Sequence, residues 1–187
     1  MPARLVVLVS GSGTTVQAVL DDPVLRPLVV AVGADKPTAP ALARAERADV
    51  TTFTVPFADY RDRGEWNRAL EDAIAGYEPD LVVLAGFMRI VDAALVRRFR
   101  VINTHPALLP AFPGAHAVRD ALAAGAQETG VTVHWVDEGI DTGPIIAQAV
   151  VAVRPGDDED TLRTRIQAAE KPLYLETLRT LVKEFQR

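Results

Sequence analysis

Three short runs of apolar residues, each closed by glycine, constrain this chain more than any other feature. They are Leu5–Val9 before Ser10-Gly11-Ser12-Gly13, Leu28–Val32 before Gly33-Ala34-Asp35, and Leu81–Ala85 before Gly86. A strand with one wet face alternates apolar and polar side chains, whereas a strand apolar at every position is buried on both faces. Such strands belong to parallel sheets covered by helices. Between the runs apolar residues recur at about the 3.6-residue period of a helix. Pro40 to Arg47 is rich in Ala and Arg, residues 65–75 carry Trp66, Ala69, Leu70, Ala73 and Ile74 at helical spacing, and Asp92 to Phe99 fits another helix. Thr51–Val55 reads as a more exposed strand and Val101–Asn103 as a short one. Alternation of this kind up to residue 103 predicts an α/β fold with an open, doubly wound, mostly parallel sheet.

After residue 103 the pattern changes. Val131–Val136 and Ile145–Val153 are strand-like and are joined by the turn Asp137–Pro144, a link short enough for an antiparallel pair. From Asp160 a stripe of Leu162, Ile166, Ala169, Leu173, Leu178, Leu181, Val182 and Phe185 predicts a C-terminal helix, which Pro172 should kink or restart. With 187 residues and no linker, one domain is expected. The change of pattern divides it into two halves, about residues 1–100 and about 101–187.

Composition removes several function classes. A net charge of −5 argues against general nucleic-acid binding, which needs a basic surface. The absence of cysteine excludes disulfides, thiolate metal sites and cysteine nucleophiles. Three histidines without an H-x₃-H spacing give no reason to expect a metal. Met1 to Arg4 lead directly into an apolar run that is too short for a signal peptide or a membrane span, so a cytoplasmic protein is expected. Small molecules are the expected partners, with monomer and homodimer both open.

Ser10-Gly11-Ser12-Gly13-Thr14-Thr15 links the first strand to the first helix, where backbone N–H groups and the positive helix end favour an anion such as phosphate. Thr14 and Gln17 have the spacing of a capping box. No Lys follows the last glycine, so the loop is not of the nucleoside-triphosphate type. The third glycine of a dinucleotide fingerprint is replaced by Val16, although Asp35 keeps that rival open. Gly86-Phe87-Met88-Arg89-Ile90 follows another buried strand. Phe87 reads as core, but Arg89 is costly to bury unpaired and suits a carboxylate partner.

Residues 101–115 form the densest cluster of chemistry. Asn103 and His105 alternate, so they share a face while the strand persists. Pro106, Pro110 and Pro113 hold the following loop out of helix or inner strand. Asp141 sits in a glycine-bounded turn and either shapes that turn or orients the His105 imidazole. His134 reads as a packing group, and His116 as the opener of the helix after the proline loop. No G-x-S-x-G elbow and no cysteine is present, so a covalent acyl-enzyme is not favoured. An amide donor beside a protonated imidazole suits a developing oxyanion, with the nucleophile supplied by the substrate.

Four segments carry a resemblance: Leu-Val-Ser-Gly-Ser-Gly-Thr-Thr at 8–15, Leu-Ala-Gly-Phe-Met-Arg-Ile at 84–90, Ile-Asn-Thr-His-Pro-Ala-Leu-Leu-Pro at 102–110, and Val-His-Trp-Val-Asp-Glu-Gly-Ile-Asp-Thr-Gly-Pro at 133–144. With them the chain resembles the folate-dependent formyltransferases, and among these the ones acting on glycinamide ribonucleotide in purine synthesis. The resemblance implies 10-formyltetrahydrofolate as formyl donor. It implies that Asn103 and His105 stabilise the oxyanion, that His105 gives its proton to the folate nitrogen, and that Asp141 holds His105 protonated. Gly13, Thr14 and Thr15 would bind the substrate phosphate, and Gln167 and Glu170 its ribose and glycinamide part. On the folate side it implies Asn103, a pterin wall from Met88, Arg89, Ile90 and Val91, and contacts from Arg63 and Arg89 to the glutamate tail. Three rivals stay in view. A methionyl-tRNA formyltransferase calls for an RNA-binding domain and a basic surface, and a formyltetrahydrofolate hydrolase for an N-terminal regulatory domain. A non-catalytic binding module predicts loss of Asn103, His105 or Asp141.

Overall fold

In a computed structural model, which describes residues 1–185, the glycine-closed apolar runs are strands and the periodic segments between them helices. The order is β1 (Leu5–Val9), α1 (Thr14–Asp21), β2 (Val29–Ala34), α2 (Pro40–Arg47), β3 (Thr52–Thr54), α3 (Arg63–Ala75), β4 (Leu81–Leu84), α4 (Ala93–Arg98), β5 (Val101–His105), α5 (Ala117–Ala123), β6 (Glu128–Trp135), β7 (Ile145–Ala152) and α6 (Glu159–Phe185). The seven strands run in the order β3-β2-β1-β4-β5-β6-β7. This is the mostly parallel α/β sheet that the sequence predicts, with an antiparallel pair and a C-terminal helix after it. The chain divides into two compact units, one of Met1–Ile102 with the segment from Arg179, the other of Asn103–Leu178.

In the first unit β1 is central and pairs in parallel with both β2 and β4. Every side chain of β1 is fully buried, which is why the run has no polar member. β3 adds in parallel beyond β2, with Gly33 opposite Phe53. A Cβ at Gly33 would lie 2.2 Å from the Phe53 ring, so glycine is what allows that ring to lie across β2. α3 is capped by Asp62, whose carboxylate accepts from the Glu65 N–H, and it is anchored by fully buried Trp66, whose Nε1–H donates to the Val55 carbonyl at 2.8 Å. Phe87 is buried and stacks on Trp66, the core role read from the sequence.

In the second unit β6 and β7 are antiparallel, paired from Glu128–Ala152 to His134–Ile145. Val131 and Val151 of this pair bury themselves against Val118 of α5 and Leu162 and Ile166 of α6. His116 stands at the N-cap of α5, as expected.

One local expectation, and the restart half of another, fail for identifiable reasons. The capping box does not form: Gly13 is the N-cap of α1, so Thr14 is already the first helical residue, and Gln17 is engaged by Arg44 and Asp21. Pro172 does not restart α6, which is continuous from Glu159 to Phe185. The ring removes one i→i−4 bond, a loss that a long helix packed along one face absorbs.

The start of α6 is fastened by Asp157, which accepts two bonds from the Arg165 guanidinium at 2.8 Å each and one from the Arg154 N–H at 2.7 Å. The Arg165 bonds, and then the Arg154 N–H, hold the Asp157 carboxyl well below the usual carboxylate range. A carboxyl lowered on folding gives stability that is full above its unfolded value of about 3.9 and is lost as pH falls through the folded one. Arg165→Met is therefore expected to lower the Tm at neutral pH, with the gap to the parent narrowing as pH falls below about 4. Thermal melts across that range check this, and a gap independent of pH would contradict it.

Candidate active site

β5 runs through His105, two residues beyond the expected end, so Asn103 and His105 lie on one face of a continuous strand. The His105 side chain is buried, and both its ring nitrogens meet oxygen. Nε2 lies 2.7 Å from the Phe112 carbonyl, and Nδ1 lies 3.2 Å from Asp141 Oδ2. The first is a hydrogen bond, which requires hydrogen on Nε2, and the second is an ion-pair contact when the ring carries hydrogen on both nitrogens. That is the form of the ring able to give a proton away.

Asp141 is positioned by backbone as well as by charge. Its Oδ2 accepts the Gly114 N–H at 2.8 Å, and its own φ is 55°, a left-handed conformation that aspartate tolerates better than most residues. Phe112, whose carbonyl meets His105, is also left-handed, with φ 52°. Such residues cost about 1 kcal/mol or more and persist where their surroundings over-determine them. The turn at 137–142 is held by Asp137 Oδ1, which accepts from the Gly139 N–H at 3.0 Å and the Thr142 hydroxyl at 2.7 Å.

His134 is more than the packing group the sequence suggested. It is 2% exposed, its Nδ1 donates to the Trp135 carbonyl at 2.9 Å, and its Nε2 lies 3.6 Å from Asp141 Oδ1 with no hydrogen-bond partner. Asp141 thus has an imidazole facing each oxygen.

The proline loop is clamped by Thr132, which is fully buried. Its hydroxyl donates to the Ala107 carbonyl at 2.7 Å and accepts from the Leu109 N–H at 3.0 Å and Gln148 Nε2 at 2.9 Å. Gln148 Nε2 also donates to the Leu109 carbonyl at 3.0 Å. Beside Asp141, Leu109, Pro110, Pro113, Ile140 and Ile145 wall a cleft of about 240 Å³. Gln167 and Glu170 lie one helical turn apart on α6, on one side of the helix.

The other named residues belong to the first unit. Gly13 opens α1 with φ 72° and ψ 32°, and Thr14 and Thr15 form the first turn. The segment after β4 is tied down by the Ser10 hydroxyl, which accepts from the Met88 N–H at 2.8 Å. Met88 and Ile90 are exposed, whereas Val91 is buried and so turned away from solvent. Arg89 has its carboxylate partner within the chain: Nε donates to Asp35 Oδ2 at 2.9 Å, and the guanidinium lies 4.6 Å over the Phe57 ring. Asp35, the residue that left a dinucleotide site open, is engaged by this pair. Arg63 Nη2 donates to the Ile90 carbonyl at 2.5 Å. Among the described residues no cluster of three or more His, Asp or Glu suits a metal ion, and no helix is long and apolar enough to cross a membrane.

The whole chain has counterparts among known proteins. Residues 3–178 match the formyl transferase family, and the chain belongs to it. A phosphoribosylglycinamide formyltransferase from Mycobacterium tuberculosis is 52% identical over 184 residues, covering 96% of this chain and 85% of the relative. The Escherichia coli protein of the same name is 42% identical over 176 residues, covering 91% and 83%. The crystal structure of glycinamide ribonucleotide transformylase 1 from Symbiobacterium toebii matches with a TM-score of 0.93 at 42% identity, over 98% of this chain and 89% of that one.

Thr132→Val keeps the side-chain shape and removes the hydroxyl, leaving the Leu109 N–H and Ala107 carbonyl without their bond. It is expected to cost on the order of 2 kcal/mol of stability, the penalty for orphaned buried groups. Chemical denaturation measures this, and a variant as stable as the parent would show that the clamp is not needed.

Proposed function

We propose that the protein transfers the formyl group of 10-formyltetrahydrofolate to the glycyl amine of 5-phosphoribosylglycinamide, as a cytoplasmic enzyme of purine synthesis. The observation that carries the reading is His105 with an acceptor at each ring nitrogen, one of them the Asp141 carboxylate. The relatives' names support the substrate.

The substrate amine attacks the formyl carbon and a tetrahedral intermediate forms. The Asn103 amide and the His105 N–H donate to its oxyanion, which places donors where charge develops. When the intermediate breaks down, the C–N bond to the folate closes its electron pair onto nitrogen, and His105 Nε2 gives that nitrogen its proton. The amine's surplus proton leaves to solvent. For this Nε2 must exchange the Phe112 carbonyl for substrate. Asp141 meanwhile holds Nδ1, so the ring turns about a fixed point and keeps its charge compensated. No acyl-enzyme forms, because no nucleophilic side chain stands at the site.

Gly13, Thr14 and Thr15 take the substrate phosphate at the start of α1. Gln167 and Glu170 take the ribose and glycinamide part. Met88 and Ile90 face the donor with exposed side chains, half-buried Arg89 stands between them, and Val91 backs them from the interior. Arg89, with Nε held by Asp35, offers its remaining donors to the glutamate tail, and Arg63 acts on the same segment through the Ile90 carbonyl.

Purified protein with 10-formyltetrahydrofolate is expected to release tetrahydrofolate only when the ribonucleotide is added. His105→Ala is expected to slow that release by about 10²–10⁴-fold, the contribution of a positioned general acid, with folate binding retained. Equal release with and without ribonucleotide would make the protein a hydrolase. Unchanged turnover in His105→Ala would remove the proposed mechanism.

A further inference from the structure

The loop Gly11-Ser12-Gly13 has two carbonyls turned the same way. The Gly11 carbonyl accepts from the Ala41 N–H at 3.2 Å, and the Ser12 carbonyl accepts from Arg44 Nε at 2.8 Å, so both are tied to the first half of α2. In a planar trans peptide the C=O of one residue and the N–H of the next point in opposite directions. Both bonds therefore turn the N–H groups of Ser12 and Gly13 away from α2. The backbone bonds of the loop run to its carbonyls, from Ala41 N–H to Gly11 and from Gln17 N–H to Gly13. The left-handed Gly13 lets successive N–H groups converge on one side, the arrangement that receives anions. α2 stands directly behind, since a Cβ on Gly13 would lie 2.5 Å from that of Ala41.

One of the two ties is backbone and comes with the helix. The other depends on a single side chain. Arg44 is itself held from α1, because its Nη1 donates to Gln17 Oε1 at 3.1 Å and Gln17 Nε2 donates to Asp21 Oδ1 at 2.8 Å. A planar guanidinium reaches the Ser12 carbonyl and Gln17 from two nitrogens at once, which an ammonium on a flexible stem does not do with the same geometry.

We infer that Arg44 is a positioning residue for the substrate phosphate: by holding the Ser12 carbonyl against α2 it aims the Gly13 N–H at the ribonucleotide. The inference rests on the ribonucleotide reading above. A purely architectural role for Arg44 predicts an effect on every substrate alike. A positioning role predicts an effect only where there is a phosphate to position.

The test measures kcat and KM for Arg44→Met and Arg44→Lys with glycinamide ribonucleotide and with its riboside, which lacks the phosphate. Arg47→Met, on the last turn of α2, serves as the charge control. Both Arg44 variants are expected to raise KM for the ribonucleotide on the order of tenfold, the loss expected for a hydrogen bond to a charged group. Their kcat, their KM for the formyl donor and their handling of the riboside should stay at parental values, and Arg47→Met should match the parent throughout. Equal losses on both substrates, no loss, or full recovery in Arg44→Lys would overturn the inference while leaving the proposed reaction standing. A parent enzyme whose formyl release ignores the ribonucleotide would overturn both. Independently of turnover, ribose 5-phosphate should shift the backbone amide NMR signals of Ser12 and Gly13 in the parent and need about tenfold more ligand in Arg44→Met. Unmoved amides in the parent would also overturn it.

Discussion

The carboxylate of Asp141 is the point on which the second unit's chemistry depends. One oxygen takes a backbone N–H from Gly114 and faces His105, while the other faces His134. A half-buried carboxylate is steadied by the donors and imidazoles that face it, and a buried imidazole by the oxygens that its nitrogens meet. Each group here supplies what the other lacks. The proline loop brings the third party, since Phe112 and Gly114 each add a backbone group to the pair. Stiffness in that loop, from its prolines and from the Thr132 clamp, is what keeps those groups in place without a ligand.

The first unit solves a different problem by similar means. Its loops follow fully buried strands and carry few side chains of their own, so their shape is set by neighbours. α2 fastens the glycine loop, Ser10 fastens the segment at Met88, and Asp35 fastens Arg89. The three ties leave backbone N–H groups and guanidinium donors pointing outward. The electrostatic character of this unit is therefore local and directional, which is how a chain of net charge −5 can serve anionic substrates.

Much of the fold was legible in the sequence because burial on both faces leaves no room for a polar residue. β1, β2 and β4 announce themselves, as does the short turn that makes β6 and β7 antiparallel. Strand alternation put Asn103 and His105 on one face, and Asp141 facing His105 was one of the two readings open for that carboxylate. Long-range partners were not legible. Nothing in the spacing says that Thr132 holds residues 107 and 109, that Arg89 finds Asp35, or that Arg44 reaches Ser12, since these contacts depend on packing between segments distant in the chain. The capping box at Thr14 failed because the helix begins one residue earlier than that box requires, with Gly13 as its cap. His134 was undervalued because a lone histidine on a strand usually only packs, and its closeness to Asp141 depends on where the 137–144 turn folds back.

The most direct test of the account is formyl transfer by Asp141→Asn in a single turnover, with both substrates bound. The amide keeps the size of the side chain and its bond from Gly114 but loses the charge that compensates His105. A rate about 10²–10⁴-fold below the parent, with substrate affinities and Tm retained, is the predicted result. A rate within a few-fold of the parent would mean that Asp141 only shapes its turn, and the proposed role of His105 as a charge-compensated proton donor would fall with it.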